Sequence, residues 1–232
     1  QPDSDIYIMR RDGRHRTQVT FHENDTMFPS WSPDGSHIAY IATGSDMNAS
    51  IYVVDVTCVQ NEASCDFAPV FLAYGNSMDW SPDGKSIVYA LFNRPRDSPE
   101  SHYFVIASDG TGEPHELSSE LRGCFGNPKW SPDGSKVLLS CAGVIYTVDV
   151  NSGNLNPLTA EGSQNDNPLW SLDGSQILFK SNRDGLGRCL SITCDSGGAR
   201  SSALYIMDAD GSNIRRMSLR NDESIQWYTW VP

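Results

Sequence analysis

Positive charge is scarce in this 232-residue chain: 17 lysines and arginines face 29 aspartates and glutamates, for a net charge of −12 at neutral pH. Such a surface repels polyphosphate backbones and anionic headgroups, so no nucleic acid is expected as a partner. Long apolar runs are missing as well. No stretch of about eighteen apolar residues occurs, so no membrane insertion is expected. The opening residues, QPDSD, lack the basic and apolar regions of a leader peptide. The expectation is a secreted protein, extracellular or periplasmic, whose targeting segment has been removed. No segment carries a helix-length 3.6-residue pattern, which argues against an α/β fold.

Catalytic signatures are equally thin. There is no G-x-S-x-G nucleophile elbow. The stretch HENDT at 22–26 has Thr26 where the zinc-binding H-E-x-x-H pattern needs a second histidine. DADGSN at 208–213 opens like a calcium loop, but Leu219 stands at the twelfth position, where a bidentate Glu is required, so the segment reads as a turn. His15, His22, His37, His102 and His115 are scattered over different elements. No enzyme activity is expected on these grounds.

What is present is a set of six cysteines and a repeat. The cysteines fall into local pairs, Cys58 with Cys65, Cys124 with Cys141, and Cys189 with Cys194, and none has the C-x-x-C spacing of a zinc site. Three disulfides in an oxidising compartment are expected. Asn24 and Asn48 each open an N-x-S/T sequon, a glycosylation signal that counts only in a eukaryotic source.

The repeat decides the fold. PSWSPDG ends at Gly35, MDWSPDG at Gly84, PKWSPDG at Gly134 and PLWSLDG at Gly174, and YTWVP at the end of the chain is a shortened fifth copy. Trp31, Trp80, Trp130, Trp170 and Trp230 are spaced by 49, 50, 40 and 60 residues, the size of a four-stranded propeller blade. Within each copy the Pro-Asp-Gly turn should join an inner strand A to a strand B. The B strands are expected at 37–42, 86–91, 136–141 and 176–181, all rich in β-branched and aromatic residues. Strand C is expected at 5–13, 51–56, 103–110, 145–153 and 204–211, followed by a turn and a short D strand such as TQVT or NPLT. The motif tryptophans should pack between blades, and Asp34, Asp83, Asp133 and Asp173 should bond to their own turns. A hairpin centred between Pro132 and Asp133 would set Cys124 opposite Cys141.

The pattern P-x-W-S-P-D-G, then I-A-Y, then I-Y-x-x-D-x-D-G, resembles the TolB-type propeller repeat over essentially the whole chain. The resemblance implies an all-β fold, a β-propeller of about five four-stranded blades, with six blades or an incomplete last blade as the alternatives. Residues 1–232 would form one domain whose last blade is shared between 1–22 and 222–232. It also implies a scaffold that binds a protein or peptide, since similar repeats serve in periplasmic scaffolds; peptidase propellers and polysaccharide lyases share the repeat as well. Two alternatives stay open: an assembly protein that self-associates into oligomers or filaments by completing its last blade, and a glycan-active or lyase-type propeller.

Topology then places the variable loops. In an up-and-down blade the A-B and C-D turns share one face, and the B-C and D-A connections share the other. The first face is uniform except for the insertion holding Cys58 and Cys65; the second carries length variation, above all at 181–202. Long loops on a rigid scaffold commonly carry recognition. The expected binding residues are therefore Asn24, Asp25, Asn76, Asn127, Asp166, Asn167, Arg183, Arg188, Asp222 and Glu223. The amides and carboxylates among them would meet near a channel mouth, where they either make turns or hold a cation such as calcium; no other cofactor is expected.

Overall fold

Short apolar runs punctuated by Asp-Gly turns produce sheets and almost nothing else among the described residues. The computed structural model describes residues 4–22, 25–43, 49–60, 64–93, 100–121, 124, 126–184 and 203–217. The chain divides into two compact units, residues 1–116 and 117–232.

The first unit opens with a two-stranded antiparallel hairpin, β1 (Tyr7–Ile8) and β2 (Thr17–Gln18). Two four-stranded antiparallel sheets follow. One runs through β3 (Thr26–Trp31), β4 (His37–Thr43), β5 (Ala49–Asp55) and β6 (Val70–Tyr74). The other runs through β7 (Ser77–Trp80), β8 (Ser86–Asn93), β9 (Glu100–Ala107) and β10 (His115–Glu116). A one-turn helix, α1 (Thr57–Gln60), sits between β5 and β6.

The second unit holds two more such sheets. These are β11 (Lys129–Trp130), β12 (Lys136–Cys141), β13 (Val144–Asp149) and β14 (Leu155–Pro157), then β15 (Asn165–Trp170), β16 (Gln176–Ser181), β17 (Ala203–Asp208) and β18 (Arg215–Arg216). Strand order within every four-stranded sheet follows chain order, the A-B-C-D pattern expected of a blade. The expected B strands coincide with β4, β8, β12 and β16 to within two residues. The first C strand is much shorter than 5–13. It pairs only at Tyr7 and Ile8, because the chain turns back where the Arg10 amide bonds the Arg14 carbonyl.

The B and C strands are buried on both faces, which is why they read as nearly unbroken apolar runs. Ala39, Ile41, Ile51, Val53, Leu72, Ile87, Tyr89 and Ile106 fill the space between the two sheets of the first unit. Ile6, Val19, Ile38, Tyr40, Val54 and Val56 seal the β1–β2 hairpin against the next sheet. Leu138, Ile145, Ile177, Phe179, Tyr205 and Met207 do the same in the second unit. Aromatic pairs at equivalent cross-strand positions reinforce three sheets: Tyr40 on Tyr52, Tyr89 on Phe104 and Phe179 on Tyr205, with ring centroids 5.5–5.8 Å apart.

The four Ser-Pro/Leu-Asp-Gly turns are copies of one hydrogen-bonded device. In each, the aspartate Oδ1 accepts from the serine hydroxyl two residues before it, at 2.6–2.7 Å, and from the amide two residues after it, at 3.0 Å. The same serine oxygen accepts the first amide of strand B at 2.9 Å. Gly35, Gly84, Gly134 and Gly174 close the turns at φ between 70° and 75°, a region where a Cβ is strained.

These bonds favour the ionised carboxylate. The Ser32 and Ser171 hydroxyls, helped by the turn amides, hold Asp34 and Asp173 at about 2, and Asp83 and Asp133 are lowered by the same contacts. A carboxyl whose pKa is lower in the fold than in the unfolded chain adds stability when ionised. That stability is complete above about pH 4 and is lost as pH falls toward 2. Melting temperature should drop across this window. A variant carrying Asp34→Asn and Asp173→Asn should melt lower at pH 6 and show a shallower acid slope; an unchanged slope would remove the turns from the acid response.

The motif tryptophans divide. Trp80 and Trp130 are buried, and the Trp80 indole donates to the Ser30 carbonyl at 3.1 Å. Trp170 is half-buried, but Trp31 is 50% exposed, contrary to the expectation that all four pack between blades. Trp31 instead lines a concavity with Phe21, Val59 and Phe67.

Two expected disulfides are present, Cys58–Cys65 and Cys124–Cys141, with Cα separations of 5.4 and 4.6 Å. The register behind the second differs from the expected one. β11 pairs Lys129 with Leu138 and Trp130 with Val137, two residues away from the alignment that would face the cysteines directly. The gap is closed below the short strand, where Gly126 lies so close to β12 that a Cβ would stand 2.8 Å from the Ser140 amide nitrogen. Cys189 and Cys194, the sequon residues Asn24 and Asn48, and the closure of the last blade by 222–232 lie outside the described residues.

Candidate functional site

On the face of the B-C and D-A connections, two expected binding residues are tied to distant segments of the chain. Asp25 precedes β3 and accepts from the Ser4 amide at 2.8 Å and the Ser4 hydroxyl at 2.7 Å, contacts that lower its pKa. Asn76 precedes β7; its Oδ1 accepts the Phe92 amide at 2.9 Å. Both carboxyl and amide serve to fasten neighbouring strands.

Structure brings Arg183 to Asn165 at the head of β15. The guanidinium donates to Asn165 Oδ1 at 2.9 Å and to the Ser181 hydroxyl at 3.1 Å. It also lies over the Phe179 and Tyr205 rings, 5.0 and 4.9 Å from their centroids. Burial lowers the pKa of Arg183, and burial followed by the nearby Asp184 carboxylate raises Tyr205 to about 12. Asn165 is fully buried and also bonds the Gly143 carbonyl, so the cluster locks strands of one sheet to the preceding connection. Asn127, Asp166 and Asn167 remain exposed. Asn167 sits at φ 51° in a bulge between Asp166 and Leu169, as Phe28 does at 54° in the matching bulge of β3. Asn24, Arg188, Asp222 and Glu223 lie outside the described residues.

The histidines are placed in separate contacts. His22 bonds the Tyr40 hydroxyl at 2.7 Å, His37 the Ser36 hydroxyl at 2.6 Å, and His102 the Glu116 carboxylate at 2.9 Å. Among the described residues no three His, Cys, Asp or Glu side chains cluster as metal ligands.

Among the described residues a concavity opens on the other face, that of the A-B and C-D turns, and wholly within the first unit. It has a volume of about 820 Å³, within the range that holds a ligand or a pair of large side chains. One wall is the β1–β2 hairpin, through Ile8 and Met9; the opposite wall is the C-D insertion, through Val56, Val59 and Phe67; Trp31 and Phe21 line it as well. The insertion is shaped locally. Asp55 accepts the Thr57 amide at 2.8 Å and hydroxyl at 2.7 Å to start α1, and Cys58–Cys65 pins the loop beyond it. Three lining residues are strongly exposed: Met9 at 63%, Phe21 at 71% and Trp31 at 50%. The sequence marks the insertion holding Cys58 and Cys65 as the one departure from tight turns on this face, but its longer loops drew the expected binding residues to the opposite face.

Comparison with known proteins agrees with the fold. The profile of the TolB beta propeller domain matches residues 76–230. The Tol-Pal system protein TolB of Alcanivorax borkumensis is 30% identical over 80 residues, 34% of this chain and 18% of that protein. Dipeptidyl-peptidase 5 of Porphyromonas gingivalis is 24% identical over 141 residues, 56% of this chain and 20% of that protein. The chain thus aligns with a fifth or less of either relative. Among solved structures, TolB from Acinetobacter baumannii superposes with a TM-score of 0.62 at 19% identity, covering 90% of this chain and 47% of that one.

Proposed function

Because the chain belongs to the TolB beta propeller family, we propose that it is a non-catalytic docking module that holds a protein or peptide in the concavity between the β1–β2 hairpin and the C-D insertion. The observation that carries this reading is the 820 Å³ cavity with Met9, Phe21 and Trp31 exposed on its walls. Exposed apolar surface of this kind marks interaction sites on otherwise polar proteins. The relative named for the Tol-Pal system supports a role in a protein assembly, and the two disulfides fit a secreted or periplasmic location. No cofactor enters this reading.

A second reading puts the partner on the face of the B-C and D-A connections, favoured by the exposed Asp166 and Asn167 beside the Asn167 bulge. Quantitative capture from the native extracellular or periplasmic fraction separates the two. A partner retained by wild type and by Asp166→Ala, but reduced about tenfold by Val59→Trp, which fills the cavity, supports the first. The reverse pattern moves docking to the loop face. Retention by both variants, or turnover of peptide or glycan substrates by the purified chain, overturns the module reading.

A further inference from the structure

The hairpin that walls the cavity is the most basic run in an acidic chain. Between Arg10 and Arg16 stand four arginines and one histidine against the single carboxylate of Asp12, while the whole chain carries −12. All seven residues are exposed. The turn that presents them is fixed. The Arg10 amide donates to the Arg14 carbonyl at 2.9 Å, the Gly13 amide donates to the Arg10 carbonyl at 2.9 Å with Gly13 at φ 80°, and the Arg14 amide donates to Asp12 Oδ1 at 3.0 Å. Arg16 stacks over the Tyr7 ring, 4.0 Å from its centroid, which directs its charge along the hairpin. Arg10 and His15 line the cavity itself, and among the described residues Asp66 on the far wall is the one acidic side chain lining it.

We propose that this hairpin and the cavity together form a two-part site for an acidic peptide segment that carries one large apolar anchor, the anchor entering between Met9, Phe21, Trp31 and Val59 and the carboxylates meeting Arg10, Arg11 and Arg14. This rests on the docking reading above and specifies its partner class. The argument is one of charge complementarity. An acidic segment is repelled by most of this protein's surface and attracted by one hairpin, so the field that opposes docking elsewhere steers it here. The apolar part must be an anchor and not a flat surface, because the exposed rings line a concavity. The arginines suit carboxylates, whose two oxygens match the guanidinium fork. Anionic lipid would offer similar charge, but a bilayer presents a broad plane to a chain of net charge −12, and the apolar residues here do not project from a convex tip.

Fluorescence polarisation tests it with the intact protein and labelled synthetic peptides: acidic residues around a central Phe, the same peptide with Ala at the centre, and one with Lys in place of each acid. Binding of the first, weakened about tenfold by removing the anchor, by Val59→Trp, and by Arg11→Ser with Arg14→Ser, together with loss at high salt, is the expected result. The paired serine substitutions lie on exposed turn positions, and an unchanged melting temperature shows that the fold survives them. Equal binding of the lysine peptide, or indifference to the arginine pair, overturns acid recognition; the docking reading then stands or falls on Val59→Trp in the capture experiment alone. Absence of binding by any peptide overturns the proposal. So does preferential binding to phosphatidylserine vesicles that the arginine substitutions abolish, which would assign the hairpin to membranes.

Discussion

Substituting Cys124 by Ser will lower the stability of the chain by about 3 kcal/mol, read from urea unfolding with the slope fitted for each variant, since opening the loop also expands the denatured chain. The bond closes 17 residues of sequence, and a loop of that length restricts the unfolded chain by about that amount in the chain-entropy account. Cys124 is fully buried, so the serine also leaves a hydroxyl without solvent. Cys58→Ser, which opens a separation of only 7 at the surface insertion, should cost less, about 2 kcal/mol by the same account. It should instead alter the cavity wall that α1 and Phe67 form, and so reduce docking. If Cys58→Ser proved the more destabilising of the two, loop closure would not be what these bonds contribute.

An effect at least as large is expected from Phe179→Ala, about 3–5 kcal/mol. Phe179 is fully buried in the middle of β16, stacks on Tyr205 with centroids 5.8 Å apart, and supports Arg183 over its ring. Removing the ring opens a hole between two sheets and deprives the guanidinium of one of its two aromatic supports. Arg183→Ala should cost less, about 1–2 kcal/mol, because it forfeits hydrogen bonds and a cation-π contact but only half-buried surface. The double variant should show less than the sum, since both residues act through one cluster. Strict additivity would mean that Arg183 draws nothing from the ring.

Local chemistry explains why so much of the fold was readable. A strand buried on both faces must be an apolar run, and HIAYIA, SIVYAL, KVLLSC and QILFKS could hardly be anything else between Asp-Gly turns. The turn aspartates were equally legible, because an Asp two residues from a Ser and from an amide finds its partners within the same seven residues. The bonds of Asp34, Asp83, Asp133 and Asp173 repeat almost to the tenth of an ångström for that reason. Short-range disulfides follow the same rule.

What failed to show in the sequence depends on residues far apart along the chain. Asp25 and Asn76 look like ligands in isolation, and only the approach of Ser4 and Phe92 turns them into fasteners. Arg183 reads as a free loop cation until Asn165, 18 residues earlier, and Tyr205, beyond the 181–202 insertion, close around it. The cavity needs three distant segments, residues 8–21, Trp31 and 56–67, and no periodicity links them. Sequence by itself determined the B strands, the Ser-Pro/Leu-Asp-Gly turns, the Cys58–Cys65 and Cys124–Cys141 pairings and the family, because each is set within a few residues or by simple repetition. Tertiary structure alone decided which polar side chains are consumed within the sheets and where apolar surface is left uncovered, because both depend on which segments packing brings together, and a one-dimensional pattern carries no record of that.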